Sequence, residues 1–540
     1  MKVVIIGGGT AGTATAAKLR RLDENVEIVI LEKNNEFAVS NCSFPYYISG
    51  VIKDSRQLIG ATAESMKEIY NTDIRLNCEV EMIDRQEKTL RITGKPDESY
   101  DKLVLATGAE QLRPDIDGVL SEKVMTVRSL RSIRNLKDFI IGNEVRKVLV
   151  LGGGYIGVEM AESFVKLGLE VSLIDAATHV LPNFDADMAA PIHNILRGRG
   201  IRLYLQRQIA AFDEAQAVLS DGTRLDYDLC LIATGVRPDL RLPVLAELEI
   251  GERGGLKVNR HLQTSDKDIY AAGDNLEIEN LITGRPVMFS NASLAVKQAK
   301  IIAENLSGIG SEFSPVVGTS ITPVFDYTAA AAGCSEKMLQ DNGIDYFKLN
   351  IYQNTHAGYL PESGQMLFKL LFASDGKILG VQGLVQNGIA GRIDTIAAII
   401  KSGGSVAQLE EAEICYAPAY ASAQDAVNNL GSLAQEVLSG KIRFAFYDDI
   451  GKDDVFLVDV RMPEVFQSGH IDGAINIPLA AIRNNLDSIP HDKRGILYCN
   501  RGVGAYKAAC ILDNRGFDNV FVLSGGSNLF SEIMEDKSQQ

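Results

Sequence analysis

One pattern occurs twice in this chain and limits its fold more than anything else in it. Val3-Val4-Ile5-Ile6 runs into Gly7-Gly8-Gly9-Thr10-Ala11-Gly12, then an alanine-rich helical stretch through Leu22, then a strand from Val26 to Leu31 that ends on Glu32. Val148-Leu149-Val150-Leu151, Gly152-Gly153-Gly154-Tyr155-Ile156-Gly157, a helix, and Val171 to Ile174 ending on Asp175 repeat it. The first glycine permits a tight turn, the second lets backbone amides approach a pyrophosphate, and the third lets helix and strand pack closely. The helix N-terminus then faces the phosphates with its positive end. Glu32 and Asp175 are placed to accept bonds from ribose hydroxyls, with Lys33 beside the first. Each copy later reaches an apolar strand closed by Ala-Thr-Gly, at Ala106-Thr107-Gly108 and Ala233-Thr234-Gly235. A single fingerprint can be no more than a turn. Two framed copies predict two dinucleotide-binding α/β domains.

At 540 residues the chain has room for three or four domains. Its net charge of −16 disfavours nucleic acid and anionic membranes as partners. No apolar run approaches the roughly 18 residues of a membrane helix, and the N-terminus lacks the pattern of a signal peptide. Seven thinly spread cysteines do not form a disulfide framework. A cytoplasmic location is expected.

A further stretch separates the roles of the two copies. Ile269-Tyr270-Ala271-Ala272-Gly273-Asp274 is a strand ending in Gly-Asp, which brings a carboxylate toward a flavin. With the two fingerprints it resembles the pyridine nucleotide-disulfide oxidoreductases over residues 1 to about 435. The resemblance implies FAD on the first copy and NAD(P)H on the second. Asp175 argues for NADH over NADPH, because a carboxylate repels a 2′-phosphate and Ala176-Ala177 offer no cation.

Cys42 lies in Asn41-Cys42-Ser43-Phe44-Pro45-Tyr46-Tyr47, and the next cysteine is Cys78. A single redox thiol beside flavin must cycle through a mixed disulfide, a persulfide or a sulfenic acid; the competing reading is a buried, inert thiol. The motif, with His356-Ala357-Gly358-Tyr359 and Tyr416-Ala417-Pro418, is similar to the single-cysteine branch of the family: coenzyme A-disulfide reductases, NADH oxidases and persulfide reductases. The resemblance implies that Cys42 is the redox thiol, and that Tyr359 and Tyr416 of a partner subunit approach the sulfur in a homodimer. The alternative is two interface tyrosines that pack by area alone. Peroxidase members carry a histidine where this chain has Thr10, which places oxidase or peroxidase chemistry below thiol chemistry. Ser43, Phe44, Leu360 and Val296 depart from the coenzyme A enzymes around the substrate. Coenzyme A therefore stands as a possible substrate or ligand, held by Asn41 and by Arg20, Arg21 and Lys18 of the first helix, or those cations are simply solvated.

After Leu430-Gly431 an amphipathic helix and the charged stretch Lys452-Asp453-Asp454 are expected to lead into another module. Phe456 to Arg461, Gly469-His470-Ile471-Asp472-Gly473-Ala474 and the run to Pro478 resemble a rhodanese domain, a small sulfur-transfer fold. The strand Gly495 to Tyr498 delivers Cys499 into Cys499-Asn500-Arg501-Gly502-Val503-Gly504. Loop amides and a helix N-terminus stabilise a thiolate or persulfide there. Rhodanese loops often have an arginine where this chain has Gly504. Either Arg501 substitutes electrostatically, or the module holds sulfur without the usual donor specificity; an inactive module is the third possibility. Cys230 and Cys510 read as core, Cys415 as packing, and Cys78 and Cys334 show no motif.

The expected architecture is α/β: an FAD domain (residues 1–110 and 240–318), an NAD(P)H domain (111–239), an α+β dimerisation domain (319–440) and an α/β rhodanese module (441–540). The two nucleotide domains are Rossmann-like. The expected activity is NADH-driven, FAD-dependent reduction of small persulfides, polysulfides or coenzyme A disulfide through Cys42, with Cys499 handling sulfane sulfur. A sulfur carrier or redox sensor with little turnover is the alternative from another class.

Overall fold

The computed structural model describes residues 1–452 and 454–539. Asp453, in the charged stretch singled out above, lies outside the described residues. The chain divides into two compact units: Met1–Ala176 with Arg207–Val316, and Ala177–Gln206 with Val317–Gln540.

The first unit contains both glycine fingerprints. Its first sheet has the order Ile269–Ala271, Lys102–Leu105, Lys2–Ile6, Glu27–Leu31, Asp73–Arg75, with every pair parallel. Unbroken runs such as Val3 to Ile6 and Ile28 to Leu31 are buried on both faces, as a parallel sheet covered by helices requires. The helix Thr10–Leu22 covers one face through Ala11, Ala16 and Leu19. The second fingerprint repeats this plan: Glu170–Asp175, Lys147–Leu151, Leu229–Ile232 and Val124–Met125 are successive parallel neighbours. A small antiparallel sheet of Val80–Asp84, Thr89–Ile92 and Glu98–Ser99 stands beside the first domain's core.

The second unit is built on two sheets. An antiparallel one has the order Thr319–Val324, Tyr327–Gly333, Ile378–Val385, Gln365–Phe372, Phe347–Asn354. Ile378–Val385 is buried along its whole length. A parallel one has the order Phe444–Ala445, Val520–Leu523, Arg494–Tyr498, Val455–Asp459, Ile475–Asn476. The amphipathic helix expected after Gly431 starts earlier, as Ala426–Leu438, because the Asp425 carboxylate accepts from Val427 N–H and caps it.

Buried charge joins the parts of this unit. Lys369, fully inaccessible, contacts Asp187 at 2.6 Å, Asp185 at 3.0 Å and also Glu336. Burial alone would drive the Lys369 pKa down, but Asp187, Asp185 and Glu336 outweigh it and hold it raised. Burial pushes the Glu336 carboxyl up, yet Lys369 brings it down to about 2. Asn350 extends the cluster: its amide donates to Asp187 at 3.1 Å, and its backbone N–H donates to Ser524 of the last domain at 2.7 Å.

Candidate functional site

At the first fingerprint Gly7 has φ +107°, and a Cβ there would run into the Ala106 carbonyl oxygen. A Cβ on Gly12 would meet the carbonyl oxygen of Gly7, whereas at Gly9 it would meet nothing within 4 Å. Turn and close packing are thus both occupied by backbone, and the middle glycine faces open space at the start of the helix. The second fingerprint has the same division: Gly152 (φ +113°) against Ala233, Gly157 against Gly152, and open space at Gly154. Glu32 accepts from Gly8 N–H at 2.8 Å, and Asp175 from Gly153 N–H at 2.5 Å, so each carboxylate is held at its glycine turn. These cradles fit dinucleotides, whose pyrophosphates would take the exposed N–H groups.

The closing motifs hold the chain between the two folds. Thr107 Oγ1 donates to the Asp239 carbonyl at 3.1 Å and accepts from Asn275 at 3.2 Å. Gly108 and Gly235 adopt φ +68° and +101°. Lys33 lies 3.7 Å from the Asp239 carboxylate. Gly273, at φ +98°, donates its N–H to Gln298, and Asp274 pairs with Arg128 at 3.2 Å.

Cys42 is exposed in a single 3-10 turn, Asn41–Ser43, directly before the helix Phe44–Ile48. That helix is pinned from two sides. Ser163 donates to the Pro45 carbonyl at 2.9 Å, and Lys137 donates to the Tyr47 carbonyl at 2.8 Å while lying over the Tyr47 ring. Desolvation pushes the Cys42 thiol up, Glu159 and Asp274 add to it, and Arg128 opposes them. Arg128 and Glu159 were not legible as site residues; no motif marks them, and only the fold brings their charges to Cys42. Asn41 Oδ1 is buried without a hydrogen-bond partner among the described residues, an acceptor suited to a donor on a bound molecule.

The first helix departs from expectation. Arg20 is buried, and its guanidinium donates to the carbonyls of Tyr70, Asp23, Glu24, Val26 and Asn71. All five of its N–H groups are thereby used, so it clamps the helix end and has no donor left for a substrate. Arg21 is exposed, and Lys18 lies 3.8 Å from Glu304. Val296 is half exposed.

In the second unit Tyr359 and Tyr416 are 78% and 54% exposed, far more than tyrosines packed within a single subunit. Their loops are tied together where Ala357 N–H donates to the Pro418 carbonyl at 3.1 Å. Beneath them Arg392 grips Asp425 with two nitrogens and donates to the Thr355 carbonyl at 3.1 Å. Cys415, expected to be packed, is exposed on the same loop.

Cys499 is half-buried at the end of Arg494–Tyr498, and the N–H of Gly504 donates to its sulfur at 3.2 Å from the first turn of Val503–Asp513. Gly502 makes the turn with φ +90°. The Arg501 guanidinium donates to Asn354 Oδ1 at 2.7 Å, on the strand ahead of Tyr359. Arg461 braces the loop, forking the fully buried Asp459 and donating to Asn500 at 2.9 Å. A cavity of about 1040 Å³ lies against this base, with Arg461, His470, Asn500 and Ser527 in its wall. Cys230, Cys334 and Cys78 are buried, and Cys510 is half-buried.

Fold and site together define a flavin-type, nicotinamide-linked oxidoreductase with a sulfur-transfer module. Residues 1–299 match the pyridine nucleotide-disulphide oxidoreductases, 319–427 their dimerisation domain, and 445–533 the rhodanese-like domain. The chain belongs to the pyridine nucleotide-disulphide oxidoreductase family, whose cofactors are FAD and NAD(P)H. It is 33% identical to an NADH oxidase of Methanocaldococcus jannaschii over 82% of this chain and 100% of that one. It is 30% identical to a coenzyme A disulfide reductase of Staphylococcus epidermidis, over 80% and 100%. Among solved structures, reduced Bacillus anthracis CoADR-RHD has a TM-score of 0.97 at 36% identity, covering 99% and 98% of the two chains. An NAD-dependent persulfide reductase from A. fulgidus has 0.93 at 32% identity, covering 98% and 100%. No helix among the described residues is long and apolar enough to cross a membrane.

Proposed function

We propose that this chain uses NADH to reduce the sulfur–sulfur bond of a small persulfide, polysulfide or coenzyme A disulfide at Cys42. The observation that carries the reading is the exposed, unpaired Cys42 thiol, facing the charges of Asp274, Glu159 and Arg128 in the unit that holds both nucleotide cradles. Glu32, Gly9 and Asp274 would hold FAD on the first cradle, where it would supply two-electron transfer between nicotinamide and sulfur. Asp175 with Ala176-Ala177 favours NADH over NADPH.

The Cys42 thiolate attacks the inner sulfur of R–S–SH, forming Cys42–S–S–R and releasing HS⁻. Two electrons then cleave that bond, freeing RS⁻ and regenerating the Cys42 thiolate. The sum is NADH + H⁺ + RSSH → NAD⁺ + RSH + H₂S. Tyr359 and Tyr416 would meet the site of a second copy in a homodimer, where a phenol would donate a proton to the departing thiolate; their exposure on tied loops supports this role. Cys499, with its sulfur on Gly504 N–H, would hold the same sulfane sulfur. The reading includes a cytoplasmic location.

The test is anaerobic NADH consumption with coenzyme A persulfide and coenzyme A disulfide side by side. Faster turnover on persulfide with sulfide released supports the reading; preference for the disulfide makes thiol-pool maintenance the function; turnover on neither overturns both. The Methanocaldococcus relative favours a second reading, oxidation of NADH by oxygen. Oxygen uptake that matches NADH loss and is unaffected by persulfide would select it.

A further inference from the structure

Cys78 and Lys95 meet in the first unit beside its small antiparallel sheet. Cys78 is 2% exposed and precedes the strand Val80–Asp84. Lys95 is exposed in the turn between Thr89–Ile92 and Glu98–Ser99 of the same small sheet, with its N–H on the Ile92 carbonyl. Lys95 Nζ lies 2.8 Å from Cys78 Sγ and 3.3 Å from the Leu76 carbonyl. N–H···O bonds average about 2.9–3.0 Å, and sulfur is larger than oxygen, so this nitrogen is pressed closely against the thiol. The thiol itself points at the Leu76 carbonyl at 3.4 Å. The lysine reaches the sulfur from the solvent side, and both ends are fixed by backbone: Cys78 N–H donates to the Glu32 carbonyl at 2.9 Å.

We propose that Cys78 and Lys95 are an oxidation-responsive pair that closes into a reversible S–N cross-link. The oxidant is a peroxide. The thiolate sulfur attacks the O–O bond of hydrogen peroxide, giving a sulfenic acid and water. Sulfenic acids condense with a neighbouring nitrogen. Lys95, as free amine, attacks the sulfenic sulfur; the S–O bond breaks, the S–N bond forms, and the hydroxyl leaves as water with a proton from the nitrogen. The balance is R–SH + R′–NH₂ + H₂O₂ → R–S–NH–R′ + 2 H₂O, with sulfur oxidised by two electrons. Two small thiols reverse it, giving R–SH, R′–NH₂ and one disulfide. The link would close the small sheet onto the segment bonded to Glu32 and stop Cys78 short of irreversible oxidation.

The experiment exposes the full-length protein to graded hydrogen peroxide and maps tryptic peptides. Cys78 falls in 76–85 and Lys95 in 92–102, and Pro96 keeps Lys95 internal whether or not it is linked. The expected product joins these two peptides at about 2 Da below their summed mass and separates again with dithiothreitol. Lys95→Gln, a change at an exposed position, should abolish the linked species and let Cys78 advance to sulfinic and sulfonic acid. Cys78 remaining a thiol, or reaching sulfinic acid in the unaltered protein with no linked peptide, would overturn the proposal. A linked pair about 14 Da above the sum, with fragmentation placing the extra oxygen at the cross-link and not on Met82, would overturn the condensation step.

Discussion

Replacing Lys369 by methionine tests whether the charge cluster of the second unit is as dry as its geometry indicates. Methionine nearly matches the aliphatic stem, so packing is kept while the ammonium is lost. The residue is fully buried, with carboxylate contacts at 2.6 Å to Asp187 and 3.0 Å to Asp185 and a third to Glu336. At an effective dielectric of about 20, one such pair at about 3 Å is worth about 5–6 kcal/mol of attraction, most of it offset by removing the ammonium from water. Removing one partner of a buried ionic group typically costs about 3–5 kcal/mol, because the remaining charges stay buried and uncompensated. At about 2–4 °C per kcal/mol for a unit of this size, the transition of this unit should fall by about 6–20 °C at pH 7. The pH dependence carries the sign. In the parent protein Glu336 is held at about 2, so its contribution is complete above the ordinary carboxylate range and is lost as pH falls through about 2. In the methionine variant only Lys348 and Tyr346 still lower Glu336, the three carboxylates lose their shared ammonium, and acidification relieves their repulsion. The gap between variant and parent should therefore narrow between pH 7 and pH 5. Calorimetry across that range is the assay. A deficit below about 1 kcal/mol at pH 7, or one that widens on acidification, would refute the reasoning.

Other consequences are equally direct. Cys42→Ser should abolish NADH-driven sulfur reduction by at least about 100-fold while rapid-mixing absorbance still shows NADH reducing the flavin. Glu159→Gln removes a charge that raises the Cys42 pKa, so the midpoint of Cys42 alkylation against pH should move to lower pH; an upward move contradicts the electrostatics. Gly12→Ala places a Cβ on the Gly7 carbonyl, and the purified protein should carry less flavin, read from its visible absorbance. His193, buried with Nδ1 toward Asp536 at 2.9 Å and Nε2 accepting from Val180 N–H at 3.1 Å, is neutral. Burial lowers its pKa, so the stability it contributes is complete above about 6.5 and is lost as pH falls through the lowered folded value. His193→Gln should flatten that part of the stability profile.

The nucleotide folds and the rhodanese domain were legible because their signals are local. A glycine turn, the strand before it and the acid after the next strand lie within about thirty residues, and steric limits on backbone approach leave few substitutes for glycine there. Cys42 and Cys499 stood out for the same reason, each in a short distinctive run. Charge and contact between distant segments had no such signature. Arg20 and Arg21 are neighbours on one helix, yet a rotation of about 100° per residue buries the first among carbonyls and leaves the second in water. Arg501 reads as an anion partner for Cys499 from spacing alone, and only folding brings Asn354 within 2.7 Å of its guanidinium. Arg128 and Glu159 act on the Cys42 thiol from far along the chain. Lys369 has no motif at all; only the convergence of Asp185, Asp187 and Glu336 makes its burial tolerable. Backbone geometry is written over a few neighbouring residues, so the sequence by itself determined the family folds and singled out Cys42 and Cys499. Electrostatic environment depends on distances in space, and only the tertiary structure decided which charges those thiols meet.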